Sequence, residues 1–176
     1  MAPGKRVQLV PHDPRWAERA RDEGNRLADA LGPALLAVHH IGSTAIPGIL
    51  AKPTIDLLPV ARSLTALDER RHAIESLGYE WMGEFGLPGR RYCRLTDPET
   101  GRRLLHVHCY EEGSPEIARH LAFRDYLRGN PLVAKAYEVE KQRCLALHPE
   151  NRPAYQGCKD VWIARIEATA MHPRTE

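Results

Sequence analysis

Three features of the sequence predict a single α+β domain: a mixed β-sheet flanked by helices, followed by a C-terminal helical subregion. Two apolar, β-prone runs at 34–41 and 54–60 flank a break at Gly42-Ser43-Thr44. A stretch of helical period at 63–78 separates them from two further runs at 90–96 and 103–110. A helix between strands is a crossover, which brings parallel pairing into the sheet. From residue 114 onward the apolar positions recur only at helical spacing. A chain of 176 residues suits one domain with its own core, so 1–172 reads as that domain and 173–176 as a tail.

Taken in order, residues 7–11 form a short β-like lead-in. Asp13 stands where it caps a helix whose first turn holds Pro14. Trp16, Ala20, Leu27, Ala28 and Leu31 are that helix's apolar stripe, and Gly32-Pro33 stops it. The strand at 34–41 ends in His39-His40-Ile41, and the strand at 54–60 carries one carboxylate, Asp56. The helix at 63–78 is capped by Ser63, ended by Gly78, and buries Leu64, Leu67, Ile74 and Leu77. Residues 79–83 are a short strand, after which Gly86-Leu87-Pro88-Gly89-Arg90-Arg91 reads as a shaped loop that delivers cationic side chains. The turn-rich 97–101 makes 90–96 and 103–110 an antiparallel hairpin. Period two places Leu104, His106 and His108 on one face and Leu105, Val107 and Cys109 on the other. Helices follow at 114–128, at 131–148 with Val133, Ala136, Tyr137, Cys144 and Leu147 inward, and from Asn151-Arg152-Pro153 with Tyr155, Trp162, Ile163 and Ile166 inward.

Composition excludes several classes. A net charge of +2 argues against a broad basic surface for duplex nucleic acid. No apolar run reaches the length of about 18 residues that a membrane span needs, and the N-terminus lacks a charged-then-apolar signal pattern, so a soluble, cytoplasmic protein is expected. Cys93, Cys109, Cys144 and Cys158 contain no Cys-x-x-Cys pair, which predicts reduced, packed thiols rather than a disulfide frame or zinc knuckle. Nothing in the pattern sets an oligomeric state.

Gly42, Ser43 and Thr44 are equipped to hold an anion with backbone N–H groups and hydroxyls; the plainer alternative is a cap on a short helix. Asp56 sits in an apolar strand, where an ionised carboxylate requires a partner. That partner is a divalent metal or a cationic substrate, or else Arg90, Arg91 or Lys52. With Asp56, His106 and His108 could form a facial site for a transition ion; alternatively one imidazole bonds a backbone carbonyl in the core. His39 and His40 face opposite ways, so only one addresses a shared pocket. Arg90, Arg91, His120, Arg124 and Lys141 are further cations, with His120 and Arg124 on one helical face, and each could equally be a solvated surface charge.

The stretch HHIGSTAIPGILAKPTIDLL, the opening VQLVPHDPRW, the loop GLPGRRYCR and the segment RHLAFRDYLRGNPLVAKAYE together resemble the GrpB family of small bacterial proteins, and the likeness spans essentially the whole chain. A strand ending in Gly-Ser, followed about a dozen residues later by an acidic strand, resembles the nucleotidyltransferase-like fold. That resemblance implies a phosphorylated small molecule, a nucleotide above all, gripped by Gly42, Ser43 and Thr44 with Lys52, Arg90, Arg91, His120 and Arg124. It further implies Mg²⁺ on Asp56, and His106 or His108 as base or second ligand. The sequence departs from the fold's pattern at Leu58, where a second metal carboxylate is expected. Nucleotidyl transfer therefore stands beside a non-catalytic ligand-binding or accessory module, and beside metal-dependent hydrolysis at Asp56, His106 and His108 with a transition ion. No Gly-x-x-x-x-Gly-Lys loop marks the chain as a kinase.

Overall fold

Asp13 begins the first helix as expected: its carboxylate accepts the Arg15 N–H at 2.9 Å, satisfying one of the helix's free donors. In the computed structural model, which describes residues 6–172, the elements run α1 (Arg15–Leu31), β1 (Leu35–Ile41), β2 (Ile55–Ala61), α2 (Leu64–Asp68), α3 (Arg71–Ser76), β3 (Glu80–Trp81), β4 (Arg90–Thr96), β5 (Arg103–Glu111), α4 (Pro115–Gly129), α5 (Pro131–Leu147) and α6 (Arg152–Met171). The sheet order is β1-β2-β5-β4-β3. β2 and β5 pair in parallel and every other neighbouring pair is antiparallel, so the sheet is mixed. The residues assigned to a tail, 173–176, lie outside the described residues.

Period two divides each strand between two layers. Ile55, Leu57, Cys93, Leu105, Val107 and Cys109 face Trp16, Ala20, Leu27 and Leu31 of α1, with Leu67 and Ile74 from α2 and α3. On the opposite face, Ile41, Leu58, Val60 and Tyr110 pack against Ile117 and Leu121 of α4. A third cluster joins Ile46 and Ile49 of the β1–β2 connection to Phe123, Leu127, Tyr137 and Trp162 of the helical region. No helix among the described residues is long and apolar enough to cross a membrane.

Four expectations are corrected. The lead-in at 7–11 forms a single bridge, Val10 to Ala51, rather than a strand. The helix expected at 63–78 is two helices, broken at Arg70 (φ −97°, ψ 6°). Ser63 caps the first of them. Only Leu67 and Ile74 anchor this segment fully, and the charged 68–71 stretch between them brings no packing to sustain helical turns. Ala136 and Leu147 are exposed, whereas Glu138 and Lys141 lie buried on α5, because both hydrogen-bond into the fold. Finally, Cys144 and Cys158 form a disulfide, with Cα atoms 5.7 Å apart, while Cys93 and Cys109 are free and buried. The α5–α6 hairpin, closed by the short 148–151 connection, creates that proximity, which no local Cys spacing signals.

On α1, Glu23 is buried and accepts a hydrogen bond from the Tyr79 hydroxyl at 2.7 Å and from Arg26 at 2.9 Å. Tyr79→Phe removes one of these donors from a buried carboxylate. It is expected to lower stability by about 1–2 kcal/mol, read as a reduced urea midpoint at unchanged m-value.

Candidate functional site

Asp56 is the second residue of β2, across from Ile41 on β1 and His106 on β5. That register directs its carboxylate to the α4 side of the sheet, beside the even-numbered residues of β5. His106 Nδ1 and His108 Nε2 both reach Asp56 Oδ1, at 3.2 and 3.3 Å. The three ligand-bearing atoms lie within 4.8 Å of one another, and about a quarter of the Asp56 side chain is exposed. Burial pushes the Asp56 carboxyl upward, but the hydrogen bonds from His106 and His108 prevail and hold it well below the usual carboxylate range. His106 is shifted down, chiefly by burial, against the opposing pull of Asp56. Its Nε2 has no partner among the described residues.

Gly42 closes the other side. Its φ of +73° is a conformation L side chains rarely adopt, and a Cβ there would lie 2.7 Å from Asp56 Oδ2. The backbone thus approaches the carboxylate in a way only glycine permits. Ser43 follows, near enough to the Tyr137 phenol to oppose the burial that raises it to about 12. Thr44 is buried, with its hydroxyl 2.9 Å from His40 Nε2. Burial, together with Arg128, lowers His40 to about 4, so it is neutral and serves Thr44. The residues singled out from the sequence therefore divide. Gly42, Ser43, Asp56, His106 and His108 converge, and Lys52 lies near enough to Asp56 to feel its charge.

The remaining cations are engaged elsewhere. Arg90 is buried on the same face, but its guanidinium donates to the Glu84 and Phe85 carbonyls and stacks 4.9 Å from the Tyr92 ring. Arg91 points to the opposite layer and pairs with Asp68 at 2.7 Å. Arg124 donates to the His40 carbonyl and pairs with Asp125. His120 sits with its ring 6.1 Å from that of His108, neutral because burial and Arg119 lower it to about 4.

Sequence reasoning missed two site residues, Lys159 and Tyr155, and took Lys141 for one cation among several. Lys141 and Lys159 are 2% and 6% exposed. Lys141 donates to the Leu50 carbonyl and lies 4.7 Å from the Tyr137 ring. Lys159 lies 4.6 Å from the Tyr155 ring and has no hydrogen-bond or ion-pair partner among the described residues. Burial depresses both, with repulsion from Lys159 and then Lys52 taking Lys141 to about 7 and repulsion from Lys52 taking Lys159 to about 8. The Tyr155 hydroxyl is buried without a hydrogen-bond partner. Asp56 acts on Lys52 and Lys159, Asp160 on Lys159 and the buried Glu138 on Lys141, each favouring the charged lysine against burial. The available signal was a lysine inside each apolar stripe: Tyr137-Lys141-Cys144 and Tyr155-Lys159-Trp162 both follow i, i+4, i+7.

Comparison with known proteins gives a consistent result. The family described as GrpB protein matches residues 6–169. UPF0157 protein YqkA of Bacillus subtilis is 42% identical over 168 residues, covering 96% of this chain and 48% of that protein, so this chain spans about half of its length. The crystal structure of conserved protein GrpB from Enterococcus faecalis superposes with a TM-score of 0.86 at 41% identity, covering 93% of this chain and 97% of the other. The Cid1 poly(U) polymerase with Mg 3'-dATP bound superposes with a TM-score of 0.56 at 12% identity, covering 85% of this chain and 49% of the polymerase. That likeness shows the fold, the nucleotidyltransferase-like arrangement expected from the sequence.

Two outcomes check this geometry. Gly42→Ala should cost about 1–3 kcal/mol in chemical denaturation, since the backbone is strained and the new Cβ meets Asp56. In an NMR titration His106 should ionise below the ordinary imidazole value of about 6.5, and Asp56→Asn should lower it further, because the carboxylate favours the imidazolium.

Proposed function

This chain belongs to the GrpB family, and from that premise we propose that it binds the phosphate groups of a nucleotide or similar phosphorylated small molecule and transfers a nucleotidyl or phosphoryl group. One observation carries the reading: Lys52, Lys141 and Lys159 lie close enough to repel one another, and Lys159, beside the unpaired Tyr155 hydroxyl, has no hydrogen-bond or ion-pair partner among the described residues. Buried like charges repel and each loses hydration, so the group is short of negative charge. A polyphosphate supplies it, and the lysines regain their protons on binding. Ser43 lies at the same place, against Tyr137.

Asp56 then acts on His106. A carboxylate that accepts the Nδ1–H holds the imidazole in one tautomer and leaves Nε2 with a lone pair. Because burial keeps His106 neutral near pH 7, Nε2 can accept the proton of an attacking hydroxyl. The lysines meanwhile offset charge on the phosphate oxygens. Asp56, His106 and His108 also fit a divalent cation, which would supply further charge neutralisation. One carboxylate and two imidazoles suit a transition ion better than Mg²⁺, which relies on oxygen donors and would draw most of its shell from phosphate and water. Such an ion requires each imidazole to carry its proton on the other nitrogen, so ion and Asp–His base are alternatives at one place.

A second reading, binding without transfer, is favoured by Leu58. The position where the fold expects a second carboxylate is fully buried against Ile41, Val60 and Tyr110. Titration calorimetry with nucleoside triphosphates and with tripolyphosphate, with and without Mn²⁺ or Mg²⁺, tests both readings. Affinity should fall as pH rises from about 6.5 to 8.5, through the range where Lys141 and Lys159 lose charge. Lys159→Gln should weaken binding about tenfold. Asp56→Asn should leave tripolyphosphate bound while abolishing product formed from a triphosphate. Binding without product in the unaltered protein would establish the second reading, and absence of heat with every probe would overturn both.

A further inference from the structure

The Cys144–Cys158 bridge joins α5 and α6 within three residues of the two buried lysines in sequence. Lys141 is one turn before Cys144 on α5, and Lys159 directly follows Cys158 on α6. Apart from the 148–151 connection, the bridge is the covalent tie between the helices that carry these cations. Lys141 and Lys159, one on each helix, are near enough to repel each other.

The surroundings of the two sulfurs differ. Cys144 is fully buried and Cys158 partly exposed, so an incoming thiolate reaches Cys158 Sγ. Arg143, ion-paired with Glu140 at 2.6 Å, also brings Nη2 to 3.8 Å from Cys144 Sγ and 3.5 Å from Cys158 Sγ, within reach to donate to a departing thiolate. Glu140 Oε1 lies 3.6 Å from Cys144 Sγ, an acceptor for the thiol once it is protonated. Both redox states therefore have partners in place. Cys93 and Cys109, sealed beneath α1 in the other layer, have no such access.

We propose that Cys144 and Cys158 form an exchangeable disulfide, opened and closed by an external dithiol, whose state sets the spacing of Lys141 and Lys159. One thiolate of the dithiol attacks Cys158 Sγ, forming a mixed disulfide and expelling Cys144 as thiolate. The second thiol of the partner then attacks its own sulfur in that mixed disulfide, releasing Cys158 as thiolate and leaving the partner oxidised by two electrons. In the oxidised chain the lysines are held together, and in the reduced chain α5 and α6 separate at this level. The consequence for phosphate binding rests on the function proposed above; the change in lysine spacing does not.

Equilibration of the full chain in mixtures of reduced and oxidised dithiothreitol, followed by thiol counting in denaturant, should give two thiols at the oxidising end and four at the reducing end. Brief acetic anhydride labelling read by mass spectrometry should show Lys141 and Lys159 modified about threefold or more faster in the reduced chain. Tripolyphosphate affinity should fall by a similar factor, about threefold. The double variant Cys144→Ser, Cys158→Ser should match the reduced chain and ignore dithiothreitol. Four thiols at the oxidising end, or equal lysine labelling in both states of the unaltered chain, would overturn the proposal. If labelling responds but tripolyphosphate binds in neither state, the anion reading fails while the redox coupling stands.

Discussion

The Asp56 carboxylate, gripped by two imidazoles on one side and pressed by a residue without a side chain on the other, is the constraint around which this molecule is arranged. An ionised group at the edge of an apolar strand persists only where its partners are already in place. The parallel register of β2 on β5 places His106 directly across from it and His108 one step further along the same face. A slip of one residue would turn both imidazoles into the α1 layer and leave the carboxylate unpaired. Gly42 must then be glycine, because the antiparallel register of β1 on β2 brings the chain past Asp56 just where β1 ends.

From that fixed point, the helical region holds the connection between β1 and β2 by its backbone. Arg124 and Arg128 donate to the carbonyls of His40 and Ala45, while Glu138 and Lys141 satisfy the N–H and carbonyl of Leu50. A connection with so little regular structure would otherwise move on its own. Here charged side chains give it the order of a framework element, and Lys52 is carried on it. The same arrangement works against stability. Two nearly sealed ammonium groups with lowered proton affinity are a cost that packing alone does not explain.

How much of this was legible in the sequence depends on the range of each interaction. The strand–turn–strand around Gly42 and Asp56 and the two inward histidines of β5 follow from period two within short segments, and those residues do meet. The same period separates Arg90 from Arg91, so one of the pair had to leave the site, as Arg91 does towards Asp68. Arg90 shows the limit of residue type as a guide, since its donors are taken by the carbonyls of the loop that precedes it. Lys159 and Tyr155 come from the far end of the chain, and only the folding of α6 onto α5 reveals that their helix faces the sheet's carboxylate. The pairing of Cys144 with Cys158 was hidden for the same reason, being a property of the helix hairpin rather than of any motif.

Leu58 is best understood through what surrounds it. On the fold's pattern a second carboxylate would stand there, yet the position lies inside the contact between β2 and α4, where Ile41, Val60 and Tyr110 meet Ile117 and Leu121. A carboxylate at that point would be buried among them and would compete with Asp56 for His108, directly across on β5, at a cost of several kcal/mol where it is left unpaired. The imidazoles of β5 already take the place beside Asp56 that a second acid would need in order to share an ion. Leu58 and the two imidazoles are therefore parts of one arrangement: β2 is sealed to α4, and Asp56 keeps its charge through the hydrogen bonds of His106 and His108.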